Sequence, residues 1–298
     1  MTILTGLLIP ILLVSGLVAS AVRGGPGFQI GAPAFEVTRV DEAHFTDLPG
    51  DVQFVLIVGN DARPGDRTSR GDALHLVGVN PSSGRATILN FPRDLWVPIP
   101  GRGTDKVNAA FEAGGPLLQA RTIGQLVGVN VGYVISTGFD GFQAMVDELG
   151  GMDVDVPMAM ADRNSGAFFN PGVTHMDGGA ALAMARNRNL AGGDFTRSEN
   201  QARLILAALA KLRGEGPTVA RTISWLATLL RHSTLDGASY ADLYRLGRLA
   251  LSIDPAGIRS VTVPGSIGSA ANQSVVFLGG GAAGLFADFR DDGVLQNS

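Results

Sequence analysis

Between Val52 and Gly59 the chain reads VQFVLIVG, an apolar, β-branched run interrupted only by Gln53, as a central strand covered on both faces requires. A second apolar run covers residues 73–79 and a third 85–91. The turn Pro81-Ser82-Ser83-Gly84 separates them, so the pair predicts a hairpin. Helical spacing follows at 105–113 and 116–127, then a strand at 131–137, a helix at 139–149 and a strand at 152–156. After a loop, residues 178–185 are alanine-rich and helical, and Asp194 opens a long helix reaching about Arg213. Helices at 218–231 and 238–251, strands at 259–263 and 274–278, and a last helix at 282–289 complete the pattern. Strands and helices mixed along one span predict an α/β fold, a three-layer α/β/α sandwich with a central mixed sheet.

The first fifty residues read differently. No charge occurs from Thr2 to Val22, long enough for a helix to cross a bilayer. Ala19-Ser20-Ala21 also fits a cleaved signal peptide. The expectation is one N-terminal transmembrane helix, residues 1–22, placing a single-pass protein in the cell membrane with its domain outside the cytoplasm. Residues 23–50 are rich in Gly and Pro and read as a linker. The folded domain is expected at 51–292, with a tail at 293–298.

Composition narrows the chemistry. The 298 residues include no cysteine, which excludes disulfides and thiolate metal sites. Net charge is -4, with no basic run and no helix-turn-helix or zinc pattern, so no nucleic-acid partner is expected. Lysine occurs only at Lys106 and Lys211, so 21 of the 23 basic residues are arginine. A GC-rich genome accounts for that bias but not for its clustering.

Three stretches concentrate charge at predicted strand or helix ends, where α/β proteins place ligands. Residues 59–72, GNDARPGDRTSRGD, carry Asp61 and Asp72 at the two ends of a loop. Their carboxylates suit one hard cation, since magnesium takes one or two carboxylates plus phosphate and water; a solvated loop of mutually paired aspartates and arginines is the bland alternative. In NFPRDLWVPIP, Arg93 follows a strand, either facing a ligand or pairing with Asp94. The third stretch is MARNRNLAGGDFTRSENQ, residues 184–201. If 186–188 are extended, Arg186 and Arg188 point to one side. Asp194 fits an N-cap, and Arg197 and Gln201 share a helix face, the opposite face packing through Leu204, Ala208 and Leu212. An arginine in a first helical turn opposes the helix dipole unless an anion binds there. Arginine forks suit phosphate. The four histidines, His44, His75, His175 and His232, read as structural or surface residues, and neither a G-x-S-x-G nor a Walker A motif is present. A phosphate or pyrophosphate site using magnesium is the inference from these residues.

The ordered series GNDAR, RGDA, NFPRDLWVPIPG, DKVNAAFEAGG, DELGGMDVDVP, MDGGAALAMARNR and GDFTRSENQ resembles the LytR-CpsA-Psr family of bacterial cell-envelope proteins. The resemblance implies a membrane anchor, an extracytoplasmic α/β domain and an apolar tunnel for a polyprenyl-pyrophosphate lipid. It implies transfer of a glycopolymer from that carrier to a peptidoglycan hydroxyl, forming a phosphodiester. Asp61 and Asp72 then fall at the Mg2+ (or Mn2+) site. Arg63, Arg93, Arg186, Arg188, Arg197 and Gln201 fall at the pyrophosphate, and Asp72, Asp194 and Arg93 are the candidate catalytic groups. A lipid-binding module and a lipid pyrophosphatase are the rival readings. The chain departs from the family pattern at Asn60, Gly71, Ala73, Asn90 and Asn200, where the last replaces an arginine.

Overall fold

The computed structural model of the protein describes residues 35–41, 52–61, 69–216, 218–231 and 233–296. The expected membrane helix lies outside them, as do Arg63, His44 and His232. No helix among the described residues is long and apolar enough to cross a membrane. Along the chain come β1 (Phe35–Arg39), β2 (Gln53–Asn60), β3 (Gly71–Asn80), β4 (Arg85–Asn90), β5 (Trp96–Ile99), β6 (Gly103–Lys106) and α1 (Ala109–Val127). Then follow β7 (Tyr133–Thr137), α2 (Phe139–Glu148), β8 (Met152–Val156), β9 (Met160–Asp162), β10 (Ala167–Phe169), β11 (Gly172–Met176), α3 (Gly178–Arg186) and α4 (Asp194–Gly214). The chain continues through α5 (Val219–Arg231), β12 (Ser233–Asp236), α6 (Tyr240–Ser252), β13 (Ile258–Thr262), β14 (Gly265–Ala270), β15 (Gln273–Leu278) and α7 (Ala282–Asp292).

Seven strands form one sheet in the order β12-β1-β7-β2-β3-β4-β13. β2, β3 and β4 are antiparallel neighbours, whereas β2–β7, β1–β12 and β4–β13 run parallel, so the sheet is mixed as expected. Side chains alternate across a strand. Phe54, Leu56 and Val58 of β2 therefore join Leu74, Leu76, Leu89 and Val134 on one face, where α1 and α7 cover them with Ile123, Val127, Phe286 and Phe289. Ile57 of β2, Phe35 and Val37 of β1 and Ile135 of β7 point to the other face and line a cavity.

Five expectations need correction. Residues 23–50 are not all linker: β1 sits inside the sheet between β7 and β12, with Val37 1% exposed. Five residues between glycines and prolines are too short a run for periodicity to declare a strand. Nor is 293–298 all tail. Val294 and Leu295 are buried, and the Leu295 amide donates to Thr87 Oγ1 at 3.1 Å. Asp105 and Lys106 belong to β6, which pairs with β5, and helix α1 starts only at Ala109. The two helical patterns expected there form one helix kinked at Gly114 and Gly115, just ahead of Pro116. The loop expected after residue 156 is itself structured: β9 pairs with β10, and β11 pairs back onto β8.

Candidate active site

The register of β2 against β3 slips at one point. Gly59 pairs with Ala73 and Asn60 with Gly71, which leaves Asp72 as an extra residue in a β-bulge. A bulge turns a side chain away from the regular alternation, and Asp72 lies on the cavity wall. Its Oδ1 accepts from Arg93 Nη1 at 2.7 Å, and Arg188 Nη2 lies 3.7 Å from its Oδ2. Asp61 lines the same cavity, at the far end of the loop that joins the two strands. The Asp61 carboxylate accepts from the Arg70 backbone at 2.7 Å, while the Arg70 side chain pairs with Glu112 of α1.

Arg93 is not among the residues that line the cavity. Its guanidinium faces carboxylates: Asp72, Asp194 at 3.6 Å and Asp94 at 4.0 Å. Burial disfavours its charge, but Asp72, then Asp194 and Asp94, more than offset this, so its pKa is raised. Lys106 supports the same cluster by pairing with Asp94 at 3.1 Å. Asp194 likewise stands behind the wall, its Oδ1 3.2 Å from Arg197 Nη2. The N-cap of α4 is Gly193 rather than Asp194, which is the first helical residue. There its charge favours the helix dipole and neutralises Arg197 three residues on.

Arg186 is the last residue of α3 rather than part of an extended segment, and a cation there is favoured by the helix dipole. The extended geometry expected for 186–188 is therefore not found; the chain turns extended only at Asn187, which is fully buried, and Arg186 and Arg188 nonetheless both line the cavity. Arg186 also lies over the Phe139 ring, 5.0 Å from its centroid. Gly192 and Gly193 then adopt φ of 93° and 54°, a left-handed turn that glycine accepts without strain and that aims α4 back at the arginines. Arg197 is only 2% exposed, and burial brings its pKa down to about 10, with Asp194 opposing and Arg93 and Arg188 reinforcing the shift. It remains a cation at neutral pH. The Gln201 amide donates to the Ala185 carbonyl at 3.0 Å, tying α4 to α3.

Leu204, Ala208 and Leu212 do not lie opposite these polar groups; they line the same cavity. The spacing 197, 201, 204, 208, 212 follows one helical stripe, polar at its N-terminal end and apolar beyond. The stripe roofs a cavity of about 1430 Å3 whose floor is the second sheet face. Phe142 and Met145 of α2 and Leu243 and Leu246 of α6 complete its apolar wall. The volume exceeds the ~300–1,000 Å3 usual for small-molecule sites. Asp61, Asp72, Arg186, Arg188 and Arg197 are charged residues on the wall of this hollow.

The LytR_cpsA_psr family matches residues 36–283 of the chain. The chain belongs to this family. Among its relatives is the probable cell wall biosynthesis protein LcpB of Corynebacterium glutamicum, 31% identical over 258 residues, which are 79% of this chain and 60% of that protein. The polyisoprenyl-teichoic acid–peptidoglycan teichoic acid transferase TagU of Oceanobacillus iheyensis is 34% identical over 166 residues, 53% of this chain and 51% of that one. The matched region thus spans a little over half the length of these relatives. The LytR-CPS2A-psr protein YwtF (TagT) with bound octaprenyl pyrophosphate lipid shares the fold: TM-score 0.65 at 24% identity, covering 86% of this chain and 96% of that one.

Within this LytR-CpsA-Psr domain, two features escaped the sequence reading. His75, read as structural, is buried but also lines the cavity. Its Nδ1 lies 2.8 Å from Asn90 Oδ1, and Asn90 in turn donates to Ser260. Burial lowers its pKa to about 4; hydrogen bonding to Asn90 and Gln201 resists this and Arg197 adds to it. The second is the β9–β10 hairpin, whose turn residues Arg163, Asn164 and Ser165 line the cavity. The turn signal Asp162-Arg163-Asn164-Ser165-Gly166 was there to be read, but three-residue strands give no periodicity to flank it. Asn200, where the resemblance leads one to expect arginine, is 1% exposed and is not among the cavity-lining residues.

Proposed function

We propose that the protein transfers a glycopolymer from a polyprenyl-pyrophosphate carrier to a peptidoglycan hydroxyl, outside the cytoplasm and anchored at the membrane. The observation that carries this reading is the cavity, in which one helix stripe passes from Arg197 and Gln201 to Leu204, Ala208 and Leu212. Such a wall fits a ligand with phosphates at one end and a long hydrocarbon at the other. The octaprenyl pyrophosphate held by YwtF (TagT) is a molecule of this kind, and TagU is named as a teichoic acid transferase acting on peptidoglycan.

In the reaction, the acceptor hydroxyl oxygen attacks the phosphorus that bears the glycan. The phosphoanhydride bond breaks, and the lipid phosphate leaves with its electron pair. The hydroxyl proton passes to a carboxylate at the mouth. Asp72 lines the cavity, whereas Asp194 lies behind Arg93 and Arg197 and positions them. Arg186, Arg188 and Arg197 hold the phosphates and stabilise the charge gathering on the leaving oxygen. Asp61 and Asp72 offer an all-oxygen donor pair fitting a hard cation. Among the described residues no group of three or more such side chains could hold a metal ion, so a cation at Asp61 and Asp72 would take its other ligands from phosphate and water. Magnesium held there would neutralise charge on the pyrophosphate.

The test supplies full-length protein with a polyprenyl-pyrophosphate-linked glycan and peptidoglycan, with and without magnesium, and analyses products by mass spectrometry. A magnesium-dependent glycan–peptidoglycan phosphodiester is expected. Free phosphorylated glycan without adduct would identify a pyrophosphatase instead, and binding without turnover a carrier module.

A further inference from the structure

The β9–β10 hairpin is built stiffly against the arginine segment. Asn189 Nδ2 donates to the Ala161 carbonyl at 3.0 Å, and the Asp162 carboxylate accepts from the Arg188 backbone N–H. Asp162 also accepts from the Asn164 N–H at 2.9 Å within the turn, and Gly166 closes it with φ of 81°. On the inner side Met160 and Ala167 are buried in the small core that includes Met184 of α3. The hairpin is thus fastened both to the helix that ends in Arg186 and to the backbone of Arg188.

Its other face is unsatisfied. Phe168 pairs directly across the hairpin with Ala161, a cavity-lining residue, yet remains 59% exposed. Arg163, at the turn and on the cavity wall, has no ion pair among the described residues. An exposed aromatic ring and a guanidinium without an ion pair among the described residues thus stand on one hairpin beside the arginine segment. Hydrocarbon has its own place along Leu204 and Leu212, so the ring is not needed for the lipid tail. On the far side of a pyrophosphate the next group is a sugar, which offers an apolar C–H face to an aromatic ring and hydroxyls to Arg163 and Asn164.

We propose that the β9–β10 hairpin is the saccharide subsite of this protein, in which Phe168 stacks on the sugar joined to the pyrophosphate and Arg163 donates to its oxygens. The assignment rests on the pyrophosphate reading of the cavity and adds to it the element that selects the glycan. Two probes separate the two: farnesyl pyrophosphate, which has no sugar, and N-acetylglucosaminyl pyrophosphoryl farnesol, which has one. Calorimetric titration of the full chain should show the sugar-bearing lipid binding more tightly. Phe168→Ala and Arg163→Ala should each weaken that lipid about tenfold, the scale of one aromatic contact, and leave farnesyl pyrophosphate within about twofold. Phe168→Tyr should retain the preference, and Arg188→Ala should weaken both lipids. Equal losses on both lipids, no loss on either, or no sugar preference in the unaltered protein overturns the subsite while leaving the pyrophosphate site standing. Reduced adhesion of Phe168→Ala to phosphatidylglycerol vesicles without added donor, with sugar preference intact, assigns the ring to the membrane and also overturns it. If farnesyl pyrophosphate binds the unaltered protein no better than Arg188→Ala, the pyrophosphate reading falls and the subsite with it.

Discussion

The two faces of the central sheet are made from the same strands and treated in opposite ways. On one, Leu56, Leu76 and Leu89 are inaccessible to solvent under α1 and α7, and Phe54 and Phe289 meet with ring centroids 5.3 Å apart. On the other, Phe35, Val37, Ile57 and Ile135 floor a hollow that α2, α4 and α6 bridge without filling. Interiors normally pack to the density of organic crystals, so a face left open on this scale has given up contacts that the other face keeps. The packed face holds the fold, and on the proposed function the open face is where the lipid would bind. Charge gathers at the end of the open face, where Asp72, Arg188 and Arg197 meet.

The largest effect expected follows from that charge. Arg186→Ala or Arg188→Ala should lower transfer by about 10²- to 10³-fold, the scale of removing one oriented donor from a developing oxyanion. Both side chains are exposed on the cavity rim, so melting temperatures should stay close to that of the unaltered protein. Parallel assays of turnover and melting check both halves. Arg197→Ala should behave differently: its guanidinium is 2% exposed and pairs with Asp194, so the chain should lose stability together with activity.

On the packed side, Leu56→Ala should cost about 2–5 kcal/mol, the range for emptying a fully buried leucine site. A urea titration of the domain measures it, and a cost below about 1 kcal/mol would mean the first face is not the one that holds the fold.

Much of this contrast is legible in the sequence, and the part that is not has identifiable causes. The strands β2, β3, β4 and β8 and the helices α3 and α4 follow from hydrophobic period and turn residues, because each is long or sharply punctuated. The charged residues of the mouth are equally legible, since the sequence itself clusters them at element ends. What the pattern hides is which face of α4 meets what. A periodicity argument separates polar from apolar faces around a helix, and here the division runs along one stripe instead, so Leu204 and Leu212 were assigned to the wrong side. β1 and the β9–β10 hairpin are hidden for another reason: three to five residues hold too few alternations to register. Spacing also cannot distinguish a residue on a wall from one that braces it, and Arg93 and Asp194 pair with each other and with Asp72 and Arg197 rather than lining the cavity.

His75 lies on the open face, and its burial gives a pH test of intermediate size. Its pKa falls from an unfolded value near 6.5 to about 4 in the fold. The unfolded chain therefore binds the proton more readily, and stability present above pH 6.5 is lost as pH drops towards 4. The single group accounts for about 2 kcal/mol by pH 5 and roughly 3 by pH 4. Urea midpoints at pH 7 and pH 5 should separate clearly, and His75→Gln should shrink the separation by that amount. An unchanged pH slope in the variant would show that acid reaches the imidazole in the native state.

The smallest effect is the sharpest comparison, because Ile57 is the next residue in the same strand as Leu56. Ile57 lies between β7 and β3 at the centre of the sheet, where burial is ordinarily complete, yet it is only partly buried because it faces the hollow. Truncating it opens no new void in packed surroundings, so the cavity penalty that raises the cost of Leu56→Ala is missing. Ile57→Ala should therefore cost only about 1 kcal/mol in the same urea titration. Its effect should appear instead in the ligand: with fewer carbons against the hydrocarbon chain, affinity for a long polyprenyl pyrophosphate should fall about 3- to 10-fold. Inorganic pyrophosphate, which reaches only the charged mouth, should bind unchanged. Equal stability costs at 56 and 57 would mean that the second face is filled by protein after all. A matching loss of inorganic pyrophosphate binding would mean that the floor acts through the mouth rather than through the lipid.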